Sequence, residues 1–184
     1  DLRFPVVLKM MGPRLAHKSG AGAVAVGLDS AESVAHSVAR MRAAVTAHDP
    51  AALTDRFLVE EMAERPVAEL ILSVRSDPQF GLALTLGSGG VLAELIGDSA
   101  TLLLPASAQE IEAALRGLKV AHLLGGYRGA KAVDIAGLAA RIAGFAEAVA
   151  ARANVVAEVE INPFFVYEKG GVAVDVLIHE WAAT

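Results

Sequence analysis

An α+β architecture is what this chain predicts. Two strand-rich stretches are separated by capped helices, and regular β-α-β repeats are missing. The stretch from Glu158 to Ile178 reads as a β-hairpin: an apolar run rich in Val, Ile and Phe, a Lys-Gly-Gly turn, then a second apolar run. At 184 residues the chain makes one domain, or one domain of two small lobes, with room for a sizeable core.

The elements follow in order. Phe4 to Lys9 is a short apolar strand ending in a cation, and a lysine leaving a buried strand can serve as a point charge for phosphate. Gly12 to Gly27 sets Arg14, His17 and Lys18 among small residues, whose backbone N–H groups can approach an anion closely. It is no Walker A sequence, because the G-x-x-x-x-G-K-S/T order is missing. Asp29 to Thr46 is an amphipathic helix: Asp29 and Glu32 stand at capping-box spacing, and Val34, Val38, Met41 and Val45 form its apolar stripe. His36 and His48 belong to the surface. Phe57 to Met62 is a strand with Glu60 and Glu61 near its end.

Val67 to Leu86 reads as a hairpin whose turn starts at Asp77-Pro78 and ends at Gly81. Gly87 to Gly90 follows it without the G-x-G-x-x-G spacing. Ser107 and Glu110 form a second capping box, heading a helix with a stripe of Ile111, Leu115 and Leu118. Gly125 to Gly129 holds Arg128 among glycines, with room to present its fork to a phosphate oxygen. Asp134 caps a further helix whose Ile135, Leu138, Ile142, Phe145 and Val149 are core.

On the last hairpin, side chains alternate faces, so Glu158, Glu160 and Asn162 share one face while Val159 and Ile161 share the other. A turn centred on Lys169-Gly170 sets Asp175 opposite Phe164 and diagonal to Asn162. Two carboxylates and an amide on one strand face are costly unless water or a cation engages them. Oxygen ligands of this kind suit Mg²⁺, which takes one or two protein carboxylates and leaves other positions to water and phosphate.

The bulk numbers exclude several classes. A net charge of −5 with 54% hydrophobic residues argues against an electrostatic nucleic-acid binder. With no cysteine there is no disulfide framework, thiolate nucleophile or cysteine metal site. No apolar run approaches the roughly 18 residues that a membrane span needs, and no signal peptide is visible. The expected location is the cytoplasm.

The Glu158-Val-Glu160-Ile-Asn162-Pro163 run, followed by Asp175 on the returning strand, resembles the magnesium-binding hairpin of ATP-grasp domains. The similarity is to those of the NDP-forming acyl-CoA synthetases, relatives of succinyl-CoA synthetase. It extends from Phe4 to Ile178. The Pro5-Val-Val-Leu-Lys9 strand, the His17-Lys18-Ser19 triplet, Glu69-Leu-Ile, Asp77-Pro78-Gln79-Phe80-Gly81, Gly87-Ser88-Gly89-Gly90 with Glu94 and Asp98 after it, and the Gly126-Tyr127-Arg128-Gly129 loop all match. Gly20 and Ala23 depart from it, standing where relatives carry aspartate and glycine.

The resemblance implies an ATP-grasp fold, two α+β lobes clasping a nucleotide. Residues 1–184 would then be one such domain excised from a longer synthetase, with its N-terminal helix and first strand upstream of the chain's start. It implies ATP and Mg²⁺ as cofactors, with Asn162 and Asp175 as metal ligands and Glu160 close to metal and phosphates. Lys9 and Arg128 would hold phosphate, and Lys18, Ser19, Gly89 and Gly90 would complete the nucleotide site. Glu60 or Glu61 would meet the adenine amino group, and Glu69 the ribose. His17 would be the phosphoryl relay of an acid–CoA ligation that forms ADP. CoA-binding and ligase domains of the same or a partner chain would handle CoA and a small carboxylic acid, with homo-oligomerisation left open. Two readings from other classes also stay open: a nucleotide-sensing module without turnover, and an interaction domain that keeps the fold with a degenerate site.

Overall fold

The computed structural model describes residues 2–90 and 97–182. The chain divides into two compact units, Asp1–Glu64 and Arg65–Thr184.

The first unit is a three-stranded antiparallel sheet in the order β2-β1-β3, with β1 Val6–Met10, β2 Val24–Leu28 and β3 Phe57–Glu61. Val6, Leu8 and Met10 alternate onto one face and are buried with Met41 and Val45 of helix α1, Ala31–His48. Burying side chains of this size stabilises the fold by about 1.5–3 kcal/mol each. The α1 stripe runs as expected, and His36 and His48 are exposed. Its cap is Ser30, whose hydroxyl accepts from Ser33 N while the Ser33 hydroxyl closes the box, so the Asp29–Glu32 box is corrected by one residue. β2 was not expected; it takes the end of the Gly12 to Gly27 segment and runs on to Leu28.

The second unit is built on an antiparallel six-stranded sheet, order β6-β5-β4-β7-β8, with β9 also paired to β7. β4 is Ala68–Asp77 and β5 Gly81–Ser88; the turn between them is set by the Asp77 carboxylate, which accepts from the N–H groups of Gln79 and Phe80. β6, Ser99–Leu103, is a further unexpected strand. β7 is Val156–Val166, β8 Gly171–Ala173 and β9 Val176–Glu180. Leu70, Leu72, Val74, Leu84, Leu86, Val159 and Ile161 form one sheet face. It is covered by α2, Ala108–Gly117, and α4, Ile135–Ala150, through Ile111, Leu115, Leu138 and Ile142. The caps on Ser107 and Asp134 are as expected. A short helix α3, Ala121–Leu124, leads into the Gly125–Gly129 loop. Among the described residues, no helix is long and apolar enough to cross a membrane.

Candidate functional site

The face of the six-stranded sheet opposite its helices carries the polar residues. On β7, Glu158, Glu160 and Asn162 point away from the buried Val159 and Ile161, as alternation requires. A bulge follows: β4 pairs Leu72 with Ile161 but Leu70 with Phe164, so Asn162 and Pro163 together stand across from Ile71. The extra residue returns Phe164 to the helix-covered face, where it packs against the core. Gly171 makes room for that ring; a Cβ there would lie 2.4 Å from Phe164 Cε1.

The hairpin register differs from the expected one by two residues. Val166 pairs with Gly171 and Ile161 with Val176, and Asn162 N donates to Asp175 O at 3.1 Å. Asp175 therefore stands opposite Asn162, and Ala173 opposite Phe164. The turn falls on Glu168-Lys169, with Gly170 after it at φ 84°, a conformation that glycine accepts readily. The correction tightens the candidate metal pair, because opposed residues have Cβ atoms about 4.5–5.5 Å apart against about 7–8 Å for diagonal ones. Among the described residues no group of three His, Cys, Asp or Glu side chains could hold a metal by itself. Asn162 and Asp175 fit an ion that draws its remaining ligands from water and phosphate.

Beside this pair the open face forms a trough of about 360 Å³ whose lining includes Ser73, Arg75, Thr85, Thr101, Glu158 and Glu160. Ser73 Oγ donates to Glu158 Oε1 at 3.2 Å, although Ser73 is the ladder partner of Glu160. Glu160 itself is half-buried. Ser73 and Arg75 were missed by sequence reasoning; the period of two through Glu69, Ile71, Ser73 and Arg75 was the available signal.

At the other end of β4 the structure brings Glu69, Gly89 and Gly90 together. Gly89 N donates to Glu69 O at 2.7 Å, and a Cβ on Gly89 would strike the Leu70 backbone at 2.7 Å. Gly90 takes φ 80°, and a Cβ there would stand 2.7 Å from Glu69 Oε2. Glu94 lies outside the described residues. Arg128 is exposed, its guanidinium 5.2 Å from the Tyr127 ring centre, and it adopts φ 52° between Gly126 and Gly129, a left-handed conformation uncommon for a side chain of this size.

In the first unit Lys9 is 6% exposed and its Nζ meets Glu60 Oε2 at 2.7 Å. Glu60 is opposite Val7 on β1, hence diagonal to Lys9 on the same face. This separates the two acids that the sequence could not. Glu61 turns instead to Arg3, whose backbone N–H and guanidinium hold its carboxyl below the usual range, so the structure does not bring Glu61 to Lys9. In the His17–Ser19 turn Lys18 is buried, while His17 and Ser19 are exposed. Ala23 N closes the turn on Lys18 O at 2.8 Å, and Met10 N bonds to Ala23 O at 2.9 Å, tying it to the end of β1.

A family model described as an ATP-grasp domain matches residues 1–179, and the chain belongs to that family. Among curated relatives it is 35% identical over 171 residues to a trans-feruloyl-CoA synthase from an unknown prokaryotic organism, covering 92% of this chain and 24% of the relative. It is 31% identical over 176 residues to the beta subunit of an ADP-forming acetate–CoA ligase I of Pyrococcus furiosus, covering 95% and 75%. A solved acetyl-coenzyme A synthetase 1 of Ca. Korarchaeum cryptofilum, in complex with coenzyme A and Ca-AMPCP, matches with TM-score 0.87 at 35% identity, covering 97% of this chain and 77% of that one. The same enzyme with Mg-AMPPCP, described with its phosphohistidine segment pointing towards the nucleotide binding site, matches with TM-score 0.78 at 33% identity over 97% and 78%. The chain thus spans about a quarter of the first relative and about three quarters of the others.

Proposed function

We propose that this chain is the ATP-binding, phosphoryl-transferring part of an ADP-forming acyl-CoA synthetase. One observation carries the reading: Asn162 and Asp175 oppose each other at a strand bulge, with Glu160 on the same face, in a chain of the ATP-grasp family. Mg²⁺ held by Asn162 and Asp175 would neutralise phosphate charge during transfer.

The chain's own groups do the rest. Lys9 exchanges the Glu60 carboxylate for nucleotide phosphate, and Glu60 is then released toward the adenine amino group. Gly89 and Gly90 offer backbone that a side chain would block, Glu69 takes a ribose hydroxyl, and Lys18 and Ser19 add donors for phosphate. Arg128, exposed on its loop, presents its fork to phosphate. Glu160 orients the transferring group by charge. His17 attacks the γ-phosphorus: the N–P bond forms, the bond to the bridging oxygen breaks and ADP leaves. An exposed imidazole suits a relay that must be reached from elsewhere.

Acid activation and thioester formation fall to CoA-binding and ligase domains of the same or a partner chain, in keeping with the names of the relatives. A cytoplasmic location fits this role. The test combines the chain with those domains, Mg²⁺ and γ-labelled ATP. The protein should acquire an acid-labile, alkali-stable phosphate, and His17→Ala should abolish it while ATP binding is kept. Full labelling of His17→Ala would remove the relay role, and no ATP binding by the unaltered chain would remove the function.

A further inference from the structure

The Gly89-Gly90 segment and the Arg128 loop are far apart in sequence, yet one side chain joins the stretches that carry them. Asp98 is 7% exposed, the one buried acid among the described residues. Its Oδ2 accepts from Ser88 Oγ at 2.6 Å and from Val120 N at 2.9 Å, and its Oδ1 accepts from Lys119 N at 2.7 Å. Ser88 also donates its backbone N–H to Asp98 O at 2.9 Å, and a Cβ on Gly87 would stand 2.5 Å from that oxygen. The end of β5 is thus pressed against Asp98 by both backbone and side chain, immediately before Gly89.

The other arm is equally continuous. Val120 opens the short helix α3, where Leu124 N bonds to Val120 O, Gly125 N to Ala121 O and Gly126 N to Leu123 O. Val133 N returns to Leu124 O at 2.8 Å and closes the base of the loop that holds Arg128. Burial pushes the Asp98 carboxyl up, and the bonds from Ser88, Lys119 and Val120 more than reverse this, so it stays ionised around neutrality. A buried carboxylate with three donors is a rigid joint, since losing any one strands a desolvated group.

We propose that Asp98 is a positioning residue for the nucleotide's phosphates: its carboxylate clamps the Gly89-Gly90 segment and the Arg128 loop into one arrangement, so that both serve the same phosphate chain. The inference rests on the nucleotide reading and adds a residue to it. It makes a prediction that a general structural role does not: damage at Asp98 should scale with the number of phosphates on the ligand.

The experiment titrates the unaltered chain, Asp98→Asn, Ser88→Ala, Arg128→Ala and the Asp98→Asn/Arg128→Ala pair with labelled ATP, using ADP and adenosine as competitors and recording melting temperature alongside. Asn keeps the shape of Asp98 but turns an N–H toward a donor. It should weaken ATP about tenfold while changing adenosine less than about twofold. The paired variant should lose less ATP affinity than the two single losses combined, because one arm of the clamp acts through that arginine. Equal losses for ATP and adenosine, or full additivity in the pair, would overturn the clamp. Should Asp98→Asn fail to fold, Ser88→Ala removes only one bond: a loss confined to ATP and ADP supports the proposal, and a uniform or absent loss overturns it. If the unaltered chain ignores ATP the nucleotide reading falls and takes the clamp with it, whereas uniform losses in a chain that binds ATP sink the clamp alone.

Discussion

Lys9 and Asp98 are both buried charges, and the chain treats them in opposite ways. Asp98 is met by a hydroxyl at the end of β5 and by two backbone N–H groups of the turn that opens α3. Lys9 meets the side chain of Glu60, which is 43% exposed and borders water. A charge bound by backbone is part of the frame. A charge bound by a movable carboxylate can be handed to a ligand, since an incoming phosphate replaces the acid without leaving either group dry.

The comparison breaks most readily at Asp98. Replacing it by Ala leaves two amides and a hydroxyl stranded, and chemical denaturation should show a loss of about 3 kcal/mol. A loss under about 1 kcal/mol would mean that water enters and the joint is no frame. Next in size is the hairpin. Asp175→Asn should weaken Mg-ATP about tenfold, while calorimetry without magnesium finds metal-free ATP nearly unchanged; equal losses would remove the metal assignment. Lys9→Met should leave stability within about 1 kcal/mol, because the Glu60 left behind reaches solvent, yet cost nucleotide affinity with and without magnesium. A large loss of stability there would make Lys9 frame as well.

The smallest effect is in pH. The Asp98 carboxyl lies below its ordinary value of 3.8 in the folded state. A depressed carboxylate contributes stability that is complete above the unfolded value and fades as pH falls through the folded one. The stability difference between the unaltered chain and Asp98→Asn should therefore hold level from neutrality down to the ordinary carboxylate range and shrink only below it. Shrinkage beginning near pH 6 would contradict the lowered value.

Local signals were the legible ones. Ser107 with Glu110, Asp134, and the Asp77-Pro78 turn each act within a few residues, so caps and the first hairpin could be read directly. Strand alternation placed Glu158, Glu160 and Asn162 together. What failed depended on distant partners. β2, Val-Ala-Val-Gly-Leu, is a short strand held by β1 beside it, and β6 begins Ser-Ala-Thr and owes its place to β5. Glu60 and Glu61 are identical side by side until Lys9 and Arg3 choose between them. The hairpin register escaped because the turn does not sit on its first glycine. Asp98 carries no periodic signal at all; its meaning lies in Lys119 and Val120.

The bulge at Asn162-Pro163 imposes a parity rule on β7 from Glu158 onward. From Glu158 to Asn162 even-numbered residues face away from the core and odd-numbered ones toward it; downstream, Phe164 and Val166 reverse that assignment. Deleting one residue there would leave an unbroken β4–β7 ladder and the wrong molecule, with either the carboxylates driven into the leucine layer or the phenyl ring thrown out of it. The chemistry of the face and the solidity of the core are thus written in a single count of residues, and neither can be edited by one position without rewriting the other.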